Sequence, residues 1–174
     1  VSVMELYDLK RLYEPFWDRT QQIRTSDVWL DSAGWLRDSP QASNMWYNPI
    51  VQSKMFLLND ATCFNPFNTD YFYWLDAGIT NTVDYHLLVN ENILEKLTTV
   101  CNKFLFLSYP YEKRPEVHGF EINSLNRYAG QEVKYVCRGG LFGGKKQQIN
   151  NANAAYYTLL DRTCNEDLMG TEES

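Results

Sequence analysis

A run of aromatic and aliphatic residues, Tyr71-Phe-Tyr-Trp-Leu75, ends abruptly at the carboxylate of Asp76, which is followed by Ala77 and Gly78. The run predicts a buried strand over residues 71–76, and no other segment limits the possible folds as strongly. In α/β sheets, ligands gather outside the carboxyl ends of strands, where side chains emerge into a crevice. Asp76 is therefore the first candidate site residue, although Asp-Ala-Gly is equally typical of an ordinary turn.

The rest of the chain predicts helices that alternate with covered strands. Amphipathic spacing predicts a helix from Met4 to about Thr20, broken near Pro15, and Pro49 predicts a second helix over residues 49–60 with Asn48 as its N-cap. The other predicted elements are a helix over 90–101, a strand covered on both faces over 103–109, a strand over 132–137 and a helix over 146–164. This alternation favours an α/β domain with a mixed, mainly parallel sheet flanked by helices.

Length and composition limit the domain count and the partners. The 174 residues are enough for one domain with a hydrophobic core. A net charge of −6 disfavours general binding to nucleic acid, and no stretch approaches the ~20 apolar residues of a membrane span. The four cysteines are far apart in sequence, which predicts reduced core thiols. We expect a single cytoplasmic domain over residues 1–174, or one peripheral to a membrane, cut from a longer chain because it begins at Val1.

A glycine-rich segment, Arg138-Gly-Gly-Leu-Phe-Gly-Gly144, directly precedes the predicted helix over 146–164. It matches neither the dinucleotide-binding fingerprint nor a P-loop. Paired glycines let backbone amides approach a ligand closely, and a helix N-terminus offers N–H groups to phosphate oxygens. The segment therefore predicts a ligand-binding turn, and a tight loop needed only for backbone geometry is the alternative.

Three segments together resemble the bacterial HtrL-like family, which we expect to consist of glycosyltransferases with the GT-A type fold. They are Trp46-Tyr-Asn-Pro-Ile-Val-Gln-Ser-Lys-Met-Phe56, Tyr73-Trp-Leu-Asp-Ala-Gly-Ile79, and Gly140-Leu-Phe-Gly-Gly144 with Gly170-Thr-Glu-Glu-Ser174. The resemblance implies a GT-A-like domain, with part of its base pocket upstream of Val1. It also implies transfer of a sugar from a nucleotide-sugar donor to a glycan, a lipid-linked saccharide or another hydroxyl acceptor.

The resemblance implies roles for four residues at the donor. Asp76 would bind the ribose or a divalent metal, Mn²⁺ or Mg²⁺, that bridges the diphosphate. Gly143 and Gly144 would admit the donor sugar, and Lys54 would offset the charge of the diphosphate. The acidic motif of such enzymes has two carboxylates separated by one residue, whereas Asp76 is preceded by Leu75 and Trp74 and followed by Ala77 and Gly78.

At the acceptor, the resemblance implies a catalytic carboxylate from the acidic pair Glu172 and Glu173. One of them would deprotonate the acceptor hydroxyl in an inverting reaction. A flexible acidic terminus is the alternative interpretation of this pair. His86 and His118 have no spacing that suggests a metal site or a catalytic triad, so surface or core roles are expected for both.

Two other functions remain open at this point. A glycoside hydrolase needs two carboxyl groups roughly 5 to 9.5 Å apart across a sugar, and Asp76 with Glu172 is the candidate pair. A domain without catalytic activity would bind carbohydrate or another partner through exposed tryptophan and tyrosine faces.

Overall fold

The computed structural model of this chain describes residues 8–81, 84, 86, 92–100 and 102–174. The first part is helical, with helices at Leu9–Leu12, Glu14–Arg24, Asp27–Leu30, Pro40–Ser43, Tyr47–Gln52 and Lys54–Phe64 and a 3-10 turn at Leu36–Asp38. Later helices cover Ile93–Val100, Ile122–Ala129 and Lys146–Asn165, and a second 3-10 turn covers Ile79–Asn81. Within the described residues, no helix is both long and apolar enough to cross a membrane.

The N-terminal helices begin and end at other residues than predicted. Pro15 lies in the first turn of the helix Glu14–Arg24, where its missing N–H would have no partner in any case. Pro15 therefore begins the second of two helices, and the interruption at Tyr13 confirms the predicted break near Pro15. The predicted part of the first helix before Asp8 lies outside the described residues. Asn48 lies inside the helix Tyr47–Gln52 and is buried, so its predicted role as an N-cap is wrong.

The main sheet has three strands: β1 (Tyr71–Leu75), β2 (Leu105–Pro110) and β5 (Tyr135–Lys145). The central strand is β5, and both outer strands run antiparallel to it. Two short strands, β3 (Glu116–Val117) and β4 (Phe120–Glu121), form a separate antiparallel pair. The mixed α/β class is confirmed. The mainly parallel sheet of a GT-A-like domain is wrong, because every strand pair among the described residues is antiparallel.

Helices cover one face of this sheet. The helices Lys54–Phe64 and Lys146–Asn165 meet it in a core cluster of Met55, Leu58, Phe142 and Ile149. Along β2, half-buried and exposed side chains alternate, and Phe106 is 48% exposed. The prediction of a strand covered on both faces is therefore wrong, because β2 lies at the edge of the sheet formed by the described strands and half of its side chains are exposed.

The glycine-rich segment lies within β5, so the predicted turn is wrong. At Gly143, with φ of +151°, a Cβ atom would lie 2.8 Å from the Cα of Tyr73 and closer still to the carbonyl oxygen of Phe72. At Gly144, it would lie 2.8 Å from the carbonyl oxygen of Lys103. The two glycines let the neighbouring backbones approach β5 more closely than a side chain would allow.

We expect Gly143→Ala to lower the free energy of unfolding by about 2–3 kcal/mol, because it combines an unfavourable φ with a clash against the backbone of β1. Gly140→Ala is the matched control in the same strand. Its Cβ would meet only Ile79, at 3.6 Å, which is an ordinary contact. Urea unfolding of both variants measures the difference, and equal stability of the two would contradict this explanation of Gly143.

Candidate functional site

Asp76 leaves the end of β1 with both carboxylate oxygens engaged. Its backbone N–H donates to the Gly140 carbonyl at 2.9 Å, so β1 and β5 stay paired up to this residue. The indole N–H of Trp74 donates to Oδ1 at 2.6 Å, and the Lys54 ammonium donates to Oδ2 at 2.8 Å. The strand and the carboxylate at its end are therefore placed as the sequence predicts, and the carboxylate has a fixed orientation. The strand itself is half-buried, with Leu75 exposed, so the prediction of a buried strand is wrong.

Lys54 joins Asp76 to Glu172. Its Nζ atom donates to Glu172 Oε1 at 2.6 Å and lies 3.4 Å from the Gly139 carbonyl oxygen. The side chains of Lys54 and Glu172 are only 11% and 12% exposed. Burial lowers the pKa of Lys54, but the hydrogen bonds to the two carboxylates outweigh it and the net pKa is raised. Burial also raises the pKa of Glu172, more than the neighbouring ammonium lowers it.

The C-terminal segment that carries Glu172 and Glu173 is anchored at several points, in contrast to the alternative of a flexible acidic terminus. The indole of Trp29 donates to the Met169 carbonyl at 2.9 Å, and Gln52 donates to the Gly170 carbonyl at 2.8 Å. The hydroxyl of Ser174 donates to the carbonyl of Val117 at 3.1 Å. These bonds hold the acidic pair against β5 and the turn that follows β3.

Glu173 is paired with His118 and with a backbone amide. Its Oε1 accepts a hydrogen bond from the Gly139 N–H at 3.0 Å, and its Oε2 lies 2.8 Å from His118 Nε2. Burial alone would raise the pKa of Glu173. The hydrogen bonds from His118 and Gly139, with the charges of His118 and Arg138, outweigh burial and hold that pKa below its ordinary value. Glu173 is therefore ionised at neutral pH.

Two cavities open on this cluster. The first encloses about 390 Å³ and is lined by Asp76, Ala77, Gly78, Ile79, Leu107, Arg138, Gly140 and Glu173. The second encloses about 620 Å³, and Arg138 and His118 belong to its wall. The Arg138 guanidinium stacks on the Tyr109 ring at 4.6 Å. It forms no hydrogen bond or ion pair with the described residues, so it is a cation available to a ligand between the two cavities.

The structure brings four of the six predicted site residues together. Asp76 and Glu173 line the first cavity, whereas Lys54 and Glu172 are buried next to it. Gly143 and Gly144 are not part of that lining and face the neighbouring strands instead. The contacts of Gly143 and Gly144 do not support the predicted role of these glycines in donor binding, which stays a prediction.

Two residues of this cluster, Arg138 and His118, were not predicted as site residues. Arg138 is the first residue of the glycine-rich segment, and a cation directly before Gly139 is the sequence feature that could have identified it as a site residue. His118 has a φ of +49°, in the turn between β3 and β4. The local sequence does not reveal its partner Glu173, because the two residues are far apart in the chain and meet only in the folded protein.

A divalent metal fits this donor set poorly. The described residues contain no group of three or more His, Cys, Asp or Glu side chains that could hold a metal ion. Both oxygens of Asp76 already accept hydrogen bonds, and the cation beside it is the ammonium of Lys54. The Mn²⁺ or Mg²⁺ implied by the resemblance therefore stays a prediction to which the described side chains add no support.

The pair formed by His118 and Glu173 predicts a pH-dependent contribution to stability. The hydrogen bond to Glu173 raises the pKa of His118 above 6.5 in the folded protein. The contribution is therefore complete below pH 6.5 and is lost as the pH rises through the raised pKa. It is also lost at acidic pH, when Glu173 becomes protonated below 4.5.

We expect His118→Gln to cost up to about 1 kcal/mol at pH 6 and less at pH 9, a small value because the His118 side chain is 37% exposed. Urea unfolding at the two pH values measures this difference. In a Glu173→Gln background the difference between the pH values should shrink, and the part that remains comes from the charges of Glu116 and Glu172. A loss that is equal at both pH values would contradict the ion pair.

Comparison with known proteins finds a family to which most of the chain is similar. Residues 23–163 match a family model described as "Bacterial protein of unknown function (HtrL_YibB)". No curated protein and no solved structure matches the chain. The resemblance is thereby corrected: the description of the family assigns no activity, and nothing in these comparisons shows a relationship to glycosyltransferases. Because the match covers more than half of the 174 residues, the chain belongs to the HtrL_YibB family.

Proposed function

We propose that the first cavity binds a nucleotide-sugar donor and that the protein transfers the sugar to a hydroxyl acceptor. One observation carries this proposal: the carboxylate of Glu173 and the guanidinium of Arg138, which forms no ion pair with the described residues, line the same cavity. A base and a cation for an anionic leaving group are the two main chemical requirements of glycosyl transfer.

In the proposed reaction, the acceptor hydroxyl attacks the anomeric carbon of the donor sugar. A new carbon–oxygen bond forms, and the proton of the hydroxyl passes to the Glu173 carboxylate. The bond between the anomeric carbon and the phosphate oxygen breaks, and its electron pair stays on the diphosphate. Arg138 offsets the charge that develops there, because its planar guanidinium can donate two parallel hydrogen bonds to a phosphate.

Asp76 has a binding role in this proposal. Lys54 and Trp74 each occupy one lone-pair direction of a carboxylate oxygen, and an ionised carboxylate has about four such directions. The remaining ones can accept hydrogen bonds from sugar hydroxyls at the cavity. Because Asp76 is held by two neighbours, it would fix the orientation of the donor with little loss of side-chain freedom on binding.

The carboxylate pair predicted for a glycoside hydrolase does not leave room for a sugar. Asp76 Oδ2 and Glu172 Oε1 contact the same ammonium, at 2.8 and 2.6 Å. The Lys54 side chain therefore lies between the two carboxylates, where the glycosidic bond would have to fit. This geometry favours transfer at Glu173 over hydrolysis at the predicted pair.

Calorimetry with UDP, GDP and CDP, each with and without Mn²⁺, tests the donor site. We expect one nucleotide to bind, and we expect Arg138→Gln to weaken its affinity about tenfold, which is about 1.4 kcal/mol. The exposed Arg11→Gln variant is the control and should bind as the unmodified protein does. If no nucleotide binds to the folded protein in either condition, the transferase proposal fails and a carbohydrate-binding domain becomes the better interpretation.

A further inference from the structure

The second cavity has an aromatic wall. Trp35, Tyr109 and Tyr111 line it together with Glu112, Arg114 and Glu116, among other residues. Trp35 is 42% exposed although it is a large hydrophobic side chain. An aromatic wall with a few polar groups is the usual composition of a small-ligand site.

Each of the three aromatic side chains is fixed by a polar contact. The Trp35 indole donates to Glu116 Oε1 at 3.1 Å, and Glu116 is buried and accepts a second bond from the Gly119 N–H at 2.8 Å. The Tyr111 hydroxyl donates to the Arg114 carbonyl and accepts from the Arg114 N–H.

The third ring, Tyr109, lies under the Arg138 guanidinium. Because these contacts hold the rings in place before a ligand arrives, binding orders few side chains.

The polar groups of the second cavity suit an uncharged ligand with many hydroxyl groups. Arg114 forms an ion pair with Glu112 at 3.3 Å, and both side chains are exposed at the cavity. The guanidinium supplies donors, and the carboxylate supplies acceptors. Besides His118, the wall holds two arginines, Arg114 and Arg138, and two glutamates, Glu112 and Glu116, so neither sign of charge predominates. Aromatic faces pack against the C–H groups of a pyranose ring, whereas the paired charges bind its hydroxyls.

We infer that the second cavity binds a neutral saccharide and that this saccharide is the acceptor. The acceptor role rests on the proposed function, whereas saccharide binding does not. Two features connect the cavities: Arg138 lines both of them, and the pair of His118 and Glu173 has one member in each wall. A saccharide on the aromatic wall can therefore extend one hydroxyl past Arg138 to the carboxylate of Glu173.

The Trp35 indole N–H resonance reports on this site without any catalytic assay. We propose to titrate ¹⁵N-labelled protein with the methyl pyranosides of glucose, galactose, mannose and N-acetylglucosamine, and to assign the resonance with Trp35→Phe. At least one saccharide should shift the Trp35 resonance, while that of Trp46, which lines neither cavity, stays in place. Binding of that saccharide should weaken at least fivefold in Trp35→Phe and stay unchanged in Trp46→Phe.

The outcomes separate this inference from the proposed function. If a saccharide shifts Trp35 but no nucleotide diphosphate binds, the saccharide site stands and the transferase proposal fails. If a nucleotide binds and no saccharide of the series shifts Trp35, the inference is overturned and the transferase proposal stands. A shift of Trp35 by uridine, guanosine or cytidine, with none by the saccharides, would also overturn it, because the aromatic wall would then be a nucleobase site.

Discussion

We expect Lys54→Met to lower the free energy of unfolding by about 3 kcal/mol, since removing one partner of a buried ion pair leaves an uncompensated charge. Two carboxylates lose their shared cation in this variant, Glu172 at 12% exposure and Asp76 at 35%. The partial exposure of Asp76 places the expected cost at the lower end of the range for buried pairs. Urea unfolding at neutral pH measures the change.

Two further variants show whether the loss comes from charge. Lys113→Met changes an exposed lysine and should alter stability by less than about 0.5 kcal/mol. Glu172→Gln, introduced into the Lys54→Met protein, removes one of the two uncompensated charges and should restore part of the lost stability. If Lys54→Met unfolds at the same urea concentration as the unmodified protein, Lys54 does not hold Asp76 and Glu172 together.

The second large effect is expected on turnover. We expect Glu173→Gln to lower the rate of sugar transfer by about 10²–10⁴-fold, the usual contribution of a general base. A glutamine oxygen can still accept the hydrogen bond from Gly139, so the anchor of the C-terminal segment remains. Initial rates of nucleotide release, measured at saturating donor, give the change in kcat.

Three comparisons make the effect on turnover specific. Glu132→Gln alters an exposed glutamate outside both cavities and should leave the rate unchanged. Nucleotide affinity should change much less than kcat in Glu173→Gln, because the base acts on the acceptor. If Glu172→Gln abolishes turnover and Glu173→Gln does not, the base is misassigned.

The sequence predicted those features of the fold whose causes are local. The aromatic run that ends at Asp76 forms β1, and the helix predicted over 146–164 is present as Lys146–Asn165. The helix predicted over 90–101 is present, in its described part, as Ile93–Val100. Each of these elements follows from residue type and spacing within one short segment.

The glycine-rich segment was misinterpreted because the reason for its glycines lies outside it. Four glycines before a helix are typical of a turn, but Gly143 and Gly144 are required by the backbones of Tyr73 and Lys103 on either side of β5. The direction of the strands was missed for the same reason. An alternation of helices and strands predicts crossover connections, and only the pairing itself shows that β1 and β2 both run antiparallel to β5.

The sequence predicted which residues form the candidate site better than it predicted the contacts between them. Asp76 and the acidic pair stand out in the sequence, whereas the bond from Lys54 to Glu172 joins residues 118 positions apart. No local pattern distinguishes Glu172, buried against Lys54, from Glu173, which lines the cavity. The thiols illustrate the same limit: Cys164 is buried as predicted, but Cys63 is exposed, and Cys101 lies outside the described residues.

The most direct test of sugar transfer is mass spectrometry of the products. The protein is incubated with the UDP-, GDP- or CDP-sugar whose nucleotide binds in calorimetry and with the methyl pyranoside that shifts the Trp35 resonance. We predict a product that is one glycosyl residue heavier than the pyranoside, formed in equal amount to the released nucleoside diphosphate. An intact donor, or a free sugar without any glycosylated acceptor, would contradict transfer at the Glu173 and Arg138 site.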